Sequence, residues 1–408
     1  MVWISLHGDR GLEKMEEQKS RESWFKLINA TITSFDTNNP TYIMHMDSAP
    51  EGDGIHRLAI SDSKFTIKLY QLNTITGETA FTQQMTGHTN TIHDCVFSKS
   101  HPHVLTTASQ DSKVACWDTR TGKAEITLQS PNNLPLFSCS LSGQHLAAGG
   151  EEATYIWDIR TGQVAKTLEE FHTDDILAVR FHPNDPNILF TGSEDGTICK
   201  FDMTVEDLDD SLTRVMNTEQ PVAKMGFFGP QAEYLFAVST VETLSLWTCR
   251  KADRIANFTS IRQDLSAAVG ASVDYLVGCH YNSTSQRLFL SAGTFSGGLV
   301  MSHVNVDQVT PFCLLQPQHS HTATIRDCLC FDTMVVTGGQ DSKLCLWSSD
   351  SSVQPSPSIA ASTQSCNNSS AGKINRPKSF QGKAQQQHSF YSKASTTNNA
   401  HKSGHVHR

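Results

Sequence analysis

The chain reads as an all-β protein, a seven-bladed β-propeller with a disordered C-terminal tail. Three observations predict this. A unit of about forty residues recurs along the chain, the mark of a repeat architecture. Its apolar runs alternate with polar residues, as half-buried strands do. Each copy closes on an aromatic side chain at a regular interval: Tyr70, Trp117, Trp157, Phe201, Trp247 and Trp347, with gaps of 47, 40, 44, 46 and 100 residues. The last gap is two repeats long. It leaves room for a degenerate unit that closes near Ser302, in LFLSAGTFSGGLVMSHV, where the aromatic is lost. Seven units lie within the range of propeller blade counts.

The clearest unit spans residues 86–118, TGHTNTIHDCVFSKSHPHVLTTASQDSKVACWD. It opens on Gly87-His88 and closes on Trp117-Asp118, with strands expected over 105–109 and 114–117 and a tight turn at Asp111-Ser112. Asp111 can accept from His88, His88 can reach Thr107, and Thr107 can satisfy the Trp117 indole N–H, a donor that needs a partner when buried. His321, Thr337, Asp341 and Trp347 repeat the spacing, with the threonine four before the aspartate and the tryptophan six after it. A third copy carries His172, Thr191 and Asp195, with Phe201 in the tryptophan's place. This Gly-His to Trp-Asp unit resembles the WD-repeat family. FHTDDILAVRFHPNDPNILFTGSEDG (171–196) and DYLVGCHY (274–281) extend the resemblance over nearly all of the chain up to Asp350. It implies a seven-bladed propeller, tetrads that are structural, and a protein-interaction role; it brings no established activity.

In chain order, residues 1–26 form an extension, expected to be partly disordered. Its opening apolar run is broken by His7, Gly8 and Asp9, so it lacks a signal-peptide core, and Met15 is an alternative start. Residues 27–35 alternate without a preceding repeat and are expected to supply the outer strand of the last blade, closing the ring. Blades follow at about 41–82, 83–128, 134–168, 170–216, 217–258, 272–311 and 318–350, so the propeller spans 27–350. The acidic run Glu206–Asp210 is expected as a solvated loop after the fourth blade. Beyond Asp350, Ser, Asn, Gln, Lys and His dominate, and residues 351–408 are expected to stay disordered.

The net charge of −9 is unevenly placed. The tail holds 7 Lys+Arg and no Asp or Glu, which leaves residues 1–350 at −16. An acidic body argues against a nucleic-acid surface and confines any such binding to weak, salt-sensitive capture by the tail. Eleven cysteines, with no CxxC pair, suit a reducing compartment, cytoplasm or nucleus. No apolar run approaches the ~20 residues of a spanning helix, so no membrane partner is expected.

The tetrads contain Thr-His-Asp sets that mimic a hydrolase triad. Their repetition argues for a structural role, since an enzyme needs one site; no catalytic residue and no cofactor is expected. Metal ligands are not expected either: the His-x-His pairs at 101/103, 319/321 and 405/407 offer only weak capture, and Cys328-x-Cys330 puts both thiols on one face of a strand, a poor geometry for a zinc set. Ser296-Gly297-Gly298 and Gly149-Gly150 read as hairpin turns. Asp174-Asp175 reads as a solvated loop edge. The expected function is a non-catalytic scaffold, most simply monomeric, that binds a protein partner through its loops. The resemblance implies that the residues just before each tetrad aspartate share one face of the ring, which makes Gln110, Glu194 and Gln340 candidate contacts. The alternative reading rests on Trp117-Asp118-Thr119-Arg120 and Trp157-Asp158-Ile159-Arg160. In WD-repeat substrate receptors of cullin–RING ubiquitin ligases an arginine at this spacing often contacts the adaptor, which marks Arg120 and Arg160; the commoner reading of such a residue is a turn arginine paired with the preceding aspartate, here Asp118 and Asp158.

Overall fold

The computed structural model describes residues 25–36, 38–316 and 320–356. Seven four-stranded antiparallel sheets follow one another, over residues 43–85, 92–129, 136–168, 176–217, 222–258 and 275–315, with the seventh built from both ends of the propeller. In that last blade Lys26–Ile32 lies outside Lys343–Ser348, with Leu27 opposite Trp347, and Met334–Gly339 and Ile325–Cys330 complete the sheet. The innermost strands touch in a closed cycle, the first blade's against the seventh's. The chain is therefore a seven-bladed propeller.

The core is distributed as seven apolar wedges, one between each pair of successive blades. The closing aromatics explain the spacing seen in the sequence. Trp117 packs in the wedge toward the first blade, Trp157 toward the second, Phe201 toward the third and Trp247 toward the fourth. Just before each closing residue the outer strand slips by one residue, between Cys116 and Trp117 or Lys200 and Phe201 for example, and between Met301 and Ser302 in the degenerate blade. Such bulges bend and twist a strand. Their recurrence puts Ser302 in the slot that carries an aromatic elsewhere.

Three expectations need correction. The acidic run lies inside the fourth blade, between Thr197–Asp202 and Leu212–Asn217, because the latter strand is needed to complete the sheet. There it forms one helical turn, Leu208–Ser211, capped by the Asp207 carboxylate, which accepts from the N–H groups of Asp209 and Asp210. Gly149 and Gly150 end the strand His145–Gly150 instead of making a turn. A Cβ on Gly149 would lie 2.7 Å from the Ile176 carbonyl oxygen of the next blade, so glycine there permits close blade-to-blade approach. The third is an omission: a helix, Ile261–Val269, precedes the sixth blade and ends on Gly270 in the left-handed conformation. The expectations for residues 1–24 and 357–408 lie outside the described residues.

Candidate functional site

Three buried networks stand in the second, fourth and seventh blades. His88 Nδ1 lies 3.0 Å from Asp111 Oδ2 and its Nε2 lies 2.7 Å from Thr107 Oγ1, while the Trp117 indole donates to the same hydroxyl at 2.9 Å. In the seventh blade His321 bonds Asp341 at 2.9 Å and Thr337 at 2.8 Å, and the Trp347 indole donates to Thr337 at 3.0 Å. In the fourth, His172 bonds Asp195 at 3.0 Å and Thr191 at 2.7 Å, and the indole donor is missing because Phe201 replaces tryptophan. Burial pushes the His88 and His172 imidazoles below their ordinary value despite the neighbouring carboxylates. Burial pushes Asp111 up, but the Thr89 N–H and His88 outweigh it and hold the carboxyl low. A neutral imidazole that donates from Nδ1 and accepts the threonine O–H at Nε2 satisfies every member of the network.

These aspartates also brace the backbone. Asp111 accepts from Thr89 N–H at 2.9 Å and Lys113 N–H at 3.1 Å, and so fixes the turn that carries Gln110. Gln110, Glu194 and Gln340 start equivalent turns. Their N–H groups donate to the carbonyls of Thr91, Asp175 and Thr324 respectively, at 2.8, 2.9 and 2.9 Å, so all three emerge on one face of the ring. The Gln110 side-chain oxygen accepts from His93 Nε2 at 2.7 Å. Asp174, Asp175 and Glu194 converge on the same face, with their carboxylate oxygens within 4.8 Å of one another.

Arg120 and Arg160 lie on the opposite face, because the third strand of a blade runs from the first of these turns to the second. Both are held by their own aspartates. Arg120 Nη2 donates to Asp118 Oδ2 at 2.6 Å and Nε to Oδ1 at 3.0 Å; Arg160 Nη2 reaches Asp158 Oδ2 at 3.3 Å. The Arg120 side chain itself holds the Asp118 carboxyl well below the carboxylate range. The two arginine side chains remain 63% and 66% exposed, so one edge of each guanidinium faces solvent. Arg120 also borders a cleft of about 320 Å³ between the first and second blades, shared with Glu51, Arg57, Gln71, Gln83 and Thr119.

The axial channel holds residues the sequence reading missed. Each innermost strand slips register near its start, as between Ile92 and Asp94 or Ile325 and Asp327. The residues after the slip reach the next blade. Asp327 accepts from Met46 N–H at 2.8 Å, Asp94 from Cys139 N–H at 3.0 Å, and Ser138 from Val179 N–H at 3.0 Å. Asp47 accepts from Phe97 N–H at 2.7 Å, and Arg180 lies 2.8 Å from Asp94. At one mouth of the channel is a cavity of about 460 Å³, bordered by Asp47, Lys99, Phe227, His280, Cys330 and Phe331. In its wall His280 of the sixth blade meets Cys330 of the seventh, with Cys328 behind them, and the ligand-type atoms of all three lie within 4.8 Å of one another. The Cys-x-Cys pair was visible in the sequence; its histidine, 48 residues away, had no local signal.

The comparisons agree with this architecture. The model of the WD domain, G-beta repeat, matches residues 80–118, 162–202 and 312–348. The chain is 32% identical over 345 residues to WD repeat-containing protein GTS1 of Arabidopsis thaliana, covering 80% of this chain and 85% of that protein. It is 29% identical over 334 residues to a WD repeat-containing protein 89 homolog of Dictyostelium discoideum, covering 81% and 89%. A chain in a crystal structure of the mitotic checkpoint complex superposes with a TM-score of 0.59 at 13% identity, over 85% of this chain and 98% of that one, a likeness of fold. Repeating Thr-His-Asp networks, seven closed blades and relatives that share most of its length make this chain a member of the WD-repeat family.

Proposed function

We propose that the chain is a non-catalytic scaffold that binds protein partners through the faces of its propeller. The observation that carries this reading is the state of the threonines. Thr107, Thr191 and Thr337 sit opposite histidine Nε2 as a nucleophile would, yet all three are fully buried. In two of the three networks the same oxygen already accepts an indole N–H. A hydroxyl that meets no substrate and whose lone pair is occupied serves packing and satisfaction of buried polar groups. The three-carboxylate face with Gln110, Glu194 and Gln340 and the arginine-bearing face are then the two candidate partner surfaces. Ten described cysteines, all free and nine of them buried, support a reducing compartment, cytoplasm or nucleus. No described helix is long and apolar enough to cross a membrane.

Within this reading, the exposed Arg120 and Arg160 favour a substrate receptor of a cullin–RING ubiquitin ligase. Each guanidinium is oriented by its aspartate and keeps donors free for an adaptor's carboxylates or carbonyls. The test is co-precipitation of the ligase adaptor with the wild-type chain and with Arg120→Ala, Arg160→Ala and the double variant. Recovery by wild type and loss in the double variant, at unchanged melting temperature, is the expected result. If wild type recovers no adaptor the receptor role is rejected, and the scaffold reading is then tested on the opposite face by charge reversal at Glu194.

A further inference from the structure

We propose that His280, Cys328 and Cys330 form a binding site for a thiophilic d10 metal ion, Zn²⁺ or Cu⁺. Cys328 and Cys330 share one face of the inner strand Ile325–Cys330, and their sulfurs stand 4.0 Å apart. Two thiolates held at about 2.3 Å from one zinc ion stand about 3.8 Å apart at the tetrahedral angle, so little adjustment is needed. His280 comes from the inner strand of the sixth blade, Tyr275–Asn282, and closes the set to within 4.8 Å. Its Nε2 is buried and has no hydrogen-bond partner. A buried imidazole nitrogen left without a partner is costly, and a metal ion beside two sulfurs satisfies it.

The environment selects the ion. One imidazole and two thiols make a soft to borderline donor set, which favours Zn²⁺ or Cu⁺ over Mg²⁺ or Ca²⁺. Cys328 is fully buried in the wedge between the sixth and seventh blades, and Cys330 borders the cavity at the channel mouth. The site therefore has a closed side, which fixes the ligands, and an open side, through which an ion enters and where a water can complete the coordination. Loading the ion releases the two thiol protons to solvent, and the bound cation carries two thiolates. An ion here links the sixth blade to the blade that closes the ring.

The test uses the full chain, purified under reductant with its thiols titrated to confirm the reduced state. Zn²⁺ and Cu⁺ are each offered in competition with a chromophoric chelator, and Co²⁺ serves as a spectroscopic probe. The expected result is one tightly held equivalent, a sulfur-to-cobalt charge-transfer band, and about two protons released per ion. Cys330→Ser and His280→Gln should each weaken binding about tenfold or more. Cys249→Ser, and replacement of His405 and His407 in the tail, should leave it unchanged. Circular dichroism identifies any variant that fails to fold, and His280→Gln keeps the test open if Cys330→Ser does. The proposal is overturned if the folded, reduced wild type retains no equivalent of either ion, or if binding survives both site variants, or if it disappears with the tail histidines.

Discussion

The Arg180 guanidinium lies 2.8 Å from the Asp94 carboxylate although the two residues belong to the fourth and second blades. Arg180 crosses the inner strand of the third blade to make this contact. On the way its Nη1 also donates to the Ser138 hydroxyl at 2.9 Å and the Cys139 carbonyl at 3.1 Å. Asp94 in turn accepts from Ser138 Oγ and the Cys139 N–H. Three blades are thereby joined around one carboxylate. Burial pushes Asp94 up, but Arg180 outweighs it and holds the carboxyl below its ordinary value.

Arg180→Met should therefore destabilise the chain by roughly 3 kcal/mol, because it leaves a carboxylate in the channel wall without its cation. Arg180 keeps some solvent contact, which puts the expectation at the lower end of the range for buried pairs. Adding Asp94→Asn should recover part of the loss, since the amide carries no charge to strand. Urea unfolding of the two single variants and the double variant measures the coupling. Additive losses would show that the pair contributes nothing as a pair.

The tetrads predict a graded response. Trp117→Ala should cost ~3–5 kcal/mol, as for other buried aromatic truncations. Trp117→Phe should cost less, because the fourth blade already folds with Phe201 in that slot and Thr191 lacking an indole donor. His88→Ala should fall between them, leaving Asp111 and Thr107 to find other partners. Thermal and urea unfolding check the order. Equal losses for Trp117→Phe and Trp117→Ala would mean that the indole N–H, and not ring packing, dominates.

Much of this was legible because it is periodic. The closing aromatics fix the blade count, since each must enter the wedge toward the preceding blade. Even Ser302 was placed by interval alone, and its slot shares the outer-strand bulge of the others. The helix was not legible from the repeat because it stands outside it. Ile261 and Leu265 enter the wedge between the fifth and sixth blades, where Ser302 supplies no aromatic area. The channel belt was hidden for another reason. Asp94, Asp327 and Arg180 look like ordinary polar positions on alternating strands, and only the inner-strand bulges and ring closure bring them onto neighbouring blades. The same applies to His280, whose cysteine partners lie a full blade away.

Two channel residues on one strand predict opposite pH dependences. Burial pushes His45 down to about 4 from 6.5 and Asp47 up to about 6 from 3.8. The channel groups facing them are Asp94, Asp327, Lys224, Arg326 and Arg180. Between about pH 4 and 6.5 the unfolded chain binds a proton at His45 that the folded chain refuses, so this group's contribution rises with pH. Between about pH 4 and 6 the folded chain keeps a proton at Asp47 that the unfolded chain releases, so that contribution falls with pH. In the wild type the two offset one another. His45→Gln should gain stability relative to wild type as pH drops from 6.5 to 4, and Asp47→Asn should lose it over 6 to 4. Each difference should reach at most ~3 kcal/mol. Urea unfolding across this window tests the signs; flat difference curves, or two of the same sign, would reject the assignment.

Ring closure gives the last prediction. The strand Lys26–Ile32 belongs to the seventh blade by hydrogen bonding and to the first by side-chain contact. Its backbone pairs with Lys343–Ser348, and beyond it Thr33 N–H donates to the Ser342 carbonyl at 2.8 Å. Ile28 is buried in the wedge between these two blades, Asn29 donates to the Gly77 carbonyl at 3.3 Å, and Lys68 Nζ donates to the Thr33 carbonyl at 2.8 Å. Removing residues 1–36 would expose Lys343–Ser348 as a free edge and uncover the first-blade surface that Ile28 covers. Free edges of this kind pair with other chains. The truncated chain should melt lower and self-associate. Ile28→Ala alone should cost ~2–4 kcal/mol while keeping the edge paired, so it separates lost packing from lost closure. Calorimetry and light scattering distinguish the two: the point variant should be destabilised yet monomeric, and the truncation both destabilised and associated. A monomeric truncated chain with the wild-type melting temperature would mean that the seventh blade is stable with three strands and that the ring does not depend on its N-terminal strand for closure.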